Sequence, residues 1–287
     1  MTKTTRCAHA AGDHVCWAYP DEESRREVFA DFLRTGLAAQ QRLVLIAPDP
    51  ERRLESDLAS AGLPVRKLLR DGRLVAFSTE DAYLPDGTFD ADARLAAYCA
   101  LIEGALADGF SGVRVAADAT AVLAEPGLDT AWSSYELRAD LLATRLPFSA
   151  LCAYDRHACA ADRLELVHAV HSRSLGNGHA PGSPFRLHAL DHERLLLAGE
   201  LDFRHAEVLR SLLTASAPDL PRLRLDVSRL SFVDAAGMSA LAKALTHACE
   251  RLSSVSIEGA SERFCRIWSL LGFDTAIEVE LVAEGAS

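Results

Sequence analysis

The stretch from Ser172 to Pro184, Ser-Arg-Ser-Leu-Gly-Asn-Gly-His-Ala-Pro-Gly-Ser-Pro, sets the strongest limit on what this chain can fold into. It holds three Gly, two Pro and almost no large apolar side chain, so it cannot run through a helix or a sheet and reads as a linker over residues 173–184. A chain of 287 residues exceeds the usual domain size of about 100–200 residues. Two domains are therefore expected, residues 1–172 and 185–287, each able to bury its own core.

On the N-terminal side, short apolar runs alternate with longer helical patterns, the signature of a parallel α/β sheet. Strands are expected at His14 to Tyr19, Arg42 to Ala47, Leu74 to Phe77, Val113 to Ala117 and Phe148 to Ala153. Val28, Phe29, Phe32, Leu33 and Leu37 share one helical face, and Asp49-Pro50 opens a second helix that Gly62 stops. Further helices are expected from about Asp92 to Ala107 and from Trp132 to Thr144. Five strands with crossover helices predict a three-layer sandwich. Beyond the linker, strand signals at Phe185 to Leu190, Arg194 to Ala198, Arg222 to Val227, Ser254 to Glu258 and near Ala276 to Leu281 alternate with helical patterns at Arg204 to Ser216, Ala236 to Arg251 and Glu262 to Leu271. This is a second, smaller α/β domain.

A net charge of -11 would repel a phosphate backbone, so direct nucleic-acid binding is not expected. The basic stretch from Arg66 to Arg73 is broken by Leu68, Leu69 and Asp71 and reads as a solvated helix end or turn. Apolar runs such as Leu43 to Ala47 fall far short of the ~20 residues that cross a bilayer, and residues Met1 to Arg6 lack the apolar core of an export signal. The expectation is a cytoplasmic chain without a membrane span, its seven cysteines reduced.

In Gly199-Glu200-Leu201-Asp202, then Leu223-Arg224-Leu225-Asp226-Val227-Ser228, then Phe232-Val233-Asp234-Ala235-Ala236-Gly237-Met238, the chain resembles the STAS family of sulphate transporters and anti-sigma-factor antagonists. The resemblance covers roughly residues 185–283. It implies a protein-binding domain whose partner is an anti-sigma factor or a related kinase-like regulatory protein, held through a switch loop of Ser231, Asp234, Ala235, Ala236, Gly237 and Ser239. Antagonist members carry a serine after the aspartate, and its phosphorylation breaks the complex. Here Ala235 has no hydroxyl and cannot gain that charge, so the usual switch is absent at its usual place. Ser231 and Ser239 read either as substitute phosphosites or as ordinary loop and helix-start serines. Asp234 reads as the cap of a helix beginning at Ala236 and, compatibly, as part of a partner-facing loop.

The segments His14 to Tyr19, Gly109 to Arg114, Tyr135-Glu136 and Leu151 to Asp155, followed by His168, resemble the MEDS family, the methanogen/methylotroph sensory domain, over about residues 10–172. That resemblance implies a RecA-like domain that senses a ligand, joined to the STAS segment as input to output. RecA-type ancestry raises ATP chemistry. A phosphate loop needs G-x-x-x-x-G-K-[ST] after the first strand, but Tyr19 is followed by Pro20-Asp21-Glu22-Glu23-Ser24. Three carboxylates occupy the helix end that would otherwise attract phosphate. Nor is there a Ser-His-Asp order, a paired-carboxylate site or a Gly-x-Ser-x-Gly elbow, and the chain is not expected to be an enzyme.

The candidate sensing residues are His14, Cys16, Tyr19, Asp118, Glu136, Cys152, Tyr154, Asp155 and His168. Asp118 and Asp155 end strands, where ligands collect in parallel sheets, so with Tyr19 and Tyr154 they would line one pocket; alternatively each caps the helix that follows. His14, Cys16, Cys152 and Tyr154 are expected to lie together, with Cys16 and Cys152 as the pair for thiol-based sensing. No cofactor is expected. The alternative is a metal or haem held by Cys7, His9, His14 and Cys16, a C-x-H-x4-H-x-C cluster of competent ligands that packing would equally explain. The reading is a non-catalytic regulator that couples small-molecule or redox sensing to protein binding; the alternative is a metal- or haem-binding protein with weak catalysis.

Overall fold

The computed structural model describes residues 13–175, 185–216, 220 and 222–283. Cys7, His9 and most of the expected linker lie outside the described residues. The chain forms two compact units. The first holds the described residues up to Ala124 together with Leu146–Cys159, and the second holds Glu125–Arg145 with the described residues from Ala160 onward.

The first unit contains β1 (His14–Tyr19), α1 (Glu22–Ala38), β2 (Arg42–Ala47), α2 (Pro50–Arg53), α3 (Val65–Arg70), β3 (Leu74–Ser78), α4 (Thr79–Tyr83), α5 (Ala91–Ala107), β4 (Val113–Asp118), α6 (Thr120–Ala124) and β5 (Phe148–Asp155). Its five long strands run in the order β3-β2-β4-β5-β1, and every pairing among them is parallel. Strands covered on both faces read as continuous apolar runs, and β2, with Leu43 to Ala47 all buried, is the clearest case. Asp21, Ser78 and Asp90 cap α1, α4 and α5 through side-chain oxygens that accept backbone N–H bonds. Gly112 precedes β4 with φ at 150°, and a Cβ there would stand 2.1 Å from the Pro147 carbonyl oxygen. Only glycine lets these two strand entries close on one another.

One expected helix is corrected. The segment opened by Asp49-Pro50 does not run as one α-helix to Gly62: after α2 it widens into a π-helical turn, Leu54–Ala59. The extra residue per turn carries the fully buried Asp57 to the equally buried Arg25 of α1, whose Nη2 donates to Asp57 Oδ2 at 2.8 Å.

The second unit contains α7 (Asp129–Arg145), α8 (Ala161–Val170), the two-residue β6 (Arg173–Ser174), β7 (Phe185–Ala189), β8 (Arg194–Leu201), α9 (Ala206–Ser216), β9 (Leu223–Val233), α10 (Ala235–Cys249), β10 (Val255–Ala260), α11 (Glu262–Leu270), α12 (Phe273–Ala276) and β11 (Glu280–Ala283). Its sheet runs β11-β10-β9-β8-β7, parallel except for the β7–β8 hairpin. Packing divides the chain elsewhere than composition does. Leu137 and Leu141 of α7 and Ala169 and Val170 of α8 lie in the same apolar core as Phe185, Leu187, Leu209 and Leu225. Two helices that precede the Gly/Pro stretch are thus part of the unit that follows it.

Candidate functional site

The switch loop is built where β9 ends and α10 begins. Asp234 caps α10, its Oδ1 accepting the Gly237 N–H at 2.7 Å, as the cap reading expects. The helix starts at Ala235, one residue earlier than the sequence pattern suggests, so the position that carries a serine in antagonists is the first helical residue and is exposed. Gly237 is buried against the end of β8, where a Cβ would stand 2.3 Å from the Leu201 carbonyl oxygen. Ser231 Oγ donates to Gly199 O at 2.8 Å and Ser239 Oγ to Ala235 O at 2.7 Å. Both serines are therefore engaged with backbone, Ser239 one turn inside the helix.

Sequence reasoning passed over the aromatic side chains beside this loop. Phe203 is 68% exposed and Phe232 is 41% exposed. Glu200 pairs with Phe232 and Leu201 with Val233 across β8 and β9, so Phe232 and the chain leading to Phe203 come to the same end of the sheet. A phenylalanine after Leu201-Asp202 outside any apolar periodicity was the available signal.

In the first unit, Tyr19, Asp118 and Asp155 come together at the carboxyl ends of their strands. Tyr19 Oη donates to Asp118 Oδ2 at 3.2 Å, Thr120 Oγ1 donates to Asp118 Oδ1 at 2.7 Å, and the Asp155 N–H donates to Thr120 Oγ1 at 2.9 Å. Burial, reinforced by the neighbouring Asp118 carboxylate, pushes the Tyr19 phenol above its ordinary range. Asp118 also accepts the Thr120 N–H at the start of α6, whereas Asp155 accepts the His157 N–H of a turn and does not cap α8, whose cap position is Ala160.

Tyr154 does not join them. It pairs in register with Ala18, one residue out of phase with Tyr19 and Asp155, and the pleat sends it to the opposite face. That face also carries His14, Cys16 and Cys152. Cys16 and Cys152 are register partners, and Cys152 Sγ lies 3.4 Å from His14 Nε2. Both thiols are buried. Of the remaining candidates, Glu136 belongs to the second unit, where its Oε2 lies 3.5 Å from His171 Nε2 with both side chains fully buried. His168 Nδ1 lies 3.2 Å from Ser174 Oγ. Cys7 and His9 fall outside the described residues, so only the His14 and Cys16 half of that proposed ligand set is placed.

At the start of α1, two of the three expected carboxylates are already engaged. Asp21 accepts the Ser24 N–H at 2.8 Å, and Glu22 pairs with Arg53 and with Arg25. The hydrogen bond from Arg53 holds the Glu22 carboxyl down at about 2. Arg25 was missed as a candidate, although the helical period puts it on the same buried stripe as Phe29, Phe32 and Leu33.

The chain thus joins a parallel α/β unit to a second unit with a mixed five-stranded sheet and a capped loop ahead of α10. Residues 13–172 match the MEDS family, the methanogen/methylotroph DcmR sensory domain, and the chain belongs to that family. Residues 186–283 match a Mlab-type STAS domain. Over that part the chain is similar to the anti-sigma-B factor antagonist of Bacillus subtilis, 28% identical over 89 residues, 31% of this chain and 82% of that protein. It is also similar to the anti-sigma-B factor antagonist of Listeria monocytogenes, 27% identical over 93 residues, 32% of this chain and 82% of that protein. No helix among the described residues is long and apolar enough to cross a membrane.

Proposed function

We propose that this chain is a non-catalytic cytoplasmic regulator in which the MEDS segment senses a small molecule and the STAS segment binds an anti-sigma factor or a related kinase-like protein. Homology of the STAS part to anti-sigma-factor antagonists supports a regulatory role. The observation that carries the partner reading is the loop itself: exposed Phe203 and Phe232 stand beside the exposed start of a capped helix, an apolar surface without the hydroxyl that would switch it off. Binding at this surface is then governed by the sensory segment and not by phosphorylation at position 235.

Affinity capture from the source cell tests this with the full chain and its Ala235→Glu variant. The wild type is expected to retain an anti-sigma factor or kinase-like protein. The variant, which places a carboxylate in the contact surface, is expected to weaken retention about tenfold or more with its folding transition preserved. Capture that is indifferent to the substitution would remove this loop from the interface.

A further inference from the structure

Away from the residues discussed so far, the first unit holds a cavity of about 170 Å³ lined by side chains of β2, β3, α4 and α5. The cavity opens to solvent and its volume is on the order of that of a small ring. Its apolar wall comprises Val44 and Ile46, Phe77, and Tyr98 with Leu101. Ile46 and Phe77 are register partners one residue from the carboxyl ends of β2 and β3, the edge at which parallel sheets present ligands. Phe77 is 41% exposed, unlike the buried residues on the neighbouring strand.

Two charged residues also line the cavity, and they differ in what they are already doing. Asp81 belongs to the cap of α4: its N–H donates to Ser78 Oγ at 2.9 Å and its Oδ2 accepts from the same hydroxyl at 2.7 Å. Arg94 donates from Nη1 to the Ala82 carbonyl at 3.0 Å, but its Nε is buried and meets no acceptor. Among the described residues, no carboxylate lies within ion-pair distance of Arg94. A half-buried guanidinium with a buried donor unmet, beside an apolar wall of ring size, lacks an anionic, partly apolar group.

We propose that this cavity binds a small apolar carboxylate, with its hydrocarbon part against Ile46, Phe77 and Tyr98 and its carboxylate on Arg94. This deepens the sensing reading by giving it a ligand class, and it rests on that reading only for its meaning in the cell. Binding is measured without any protein partner, so a failure here leaves the partner reading standing, and the reverse holds too.

The probes are benzoate and isovalerate, with benzamide as the neutral isostere of the first, titrated calorimetrically into the full chain. At least one acid is expected to bind with one-to-one stoichiometry and benzamide at least about tenfold more weakly. Arg94→Gln should weaken the acid about tenfold or more while leaving any benzamide binding unchanged. Ala97→Phe, from a second lining position on α5, should abolish both by filling the cavity. The proposal is overturned if neither acid binds at millimolar concentration, if benzamide matches benzoate, or if the acid binds both variants as it binds wild type.

Discussion

At Gly237 a single hydrogen occupies the space between the start of α10 and the end of β8. A methyl group there would need the Leu201 carbonyl to retreat from a 2.3 Å approach, and that oxygen is held by accepting the Asp234 N–H. Gly237→Ala is expected to cost about 1–3 kcal/mol, the usual penalty of overpacking, read as a lower denaturant midpoint with an unchanged slope. Glu22 carries the pH dependence at this scale. Its carboxyl is depressed from 4.5 to about 2, chiefly by the Arg53 hydrogen bond, so its stabilisation is complete above pH 4.5 and disappears as pH falls towards 2. Glu22→Gln should lose stability less steeply than wild type across that window, measured by urea unfolding at stepped pH. Asp21 and Glu22 were legible as acidic residues at a helix start. Their actual partners were not, because Arg53 lies 31 positions away.

At the scale of elements, α7 shows what a sequence pattern leaves open. Its apolar spacing marks a helix but does not say which sheet it covers. Asp140 answers this: buried on α7, it accepts the Ala189 N–H at 2.8 Å, the Ser172 N–H at 3.2 Å and the Ser172 hydroxyl at 2.9 Å. One carboxylate thereby fastens the first residue of the Gly/Pro stretch and the last residue of β7. Asp140→Ala would strand the buried Ala189 donor and is expected to cost about 2 kcal/mol or more, seen as a lowered melting midpoint in calorimetry. An acidic residue between Leu137 and Leu141 could have been noticed as an ionisable group on an apolar stripe. The identities of its donors depended on how the chain packs around α7. The π-helical turn at Leu54–Ala59 is a similar case, since helical periodicity marks the segment and cannot reveal a local change of pitch.

At the scale of the whole molecule, the family boundaries and the packing boundaries differ. The STAS match begins at residue 186, yet the compact unit containing it includes α7 and α8 from the segment matched by MEDS. A fragment of residues 185–287 lacks Leu137, Leu141, Ala169 and Val170 and leaves part of the core around Phe185 and Leu187 uncovered. It is expected to bind a hydrophobic dye and to unfold at a lower denaturant concentration than the full chain; a fragment as stable as the full chain would show that α7 and α8 contribute little to that core.

The amino-acid order alone determined the two α/β halves, the five N-terminal strands, the lack of a phosphate loop, the capped loop at Asp234 and the missing hydroxyl at Ala235. These follow from period, cap chemistry and residue type, which act over a few neighbouring positions. Only tertiary structure decided that Tyr154 leaves the company of Tyr19 and Asp155, that Arg94 borders a cavity and that α7 and α8 share a core with β7. Those outcomes depend on strand register and on which distant faces pack together, and their energies come from surfaces brought together by residues far apart in the chain.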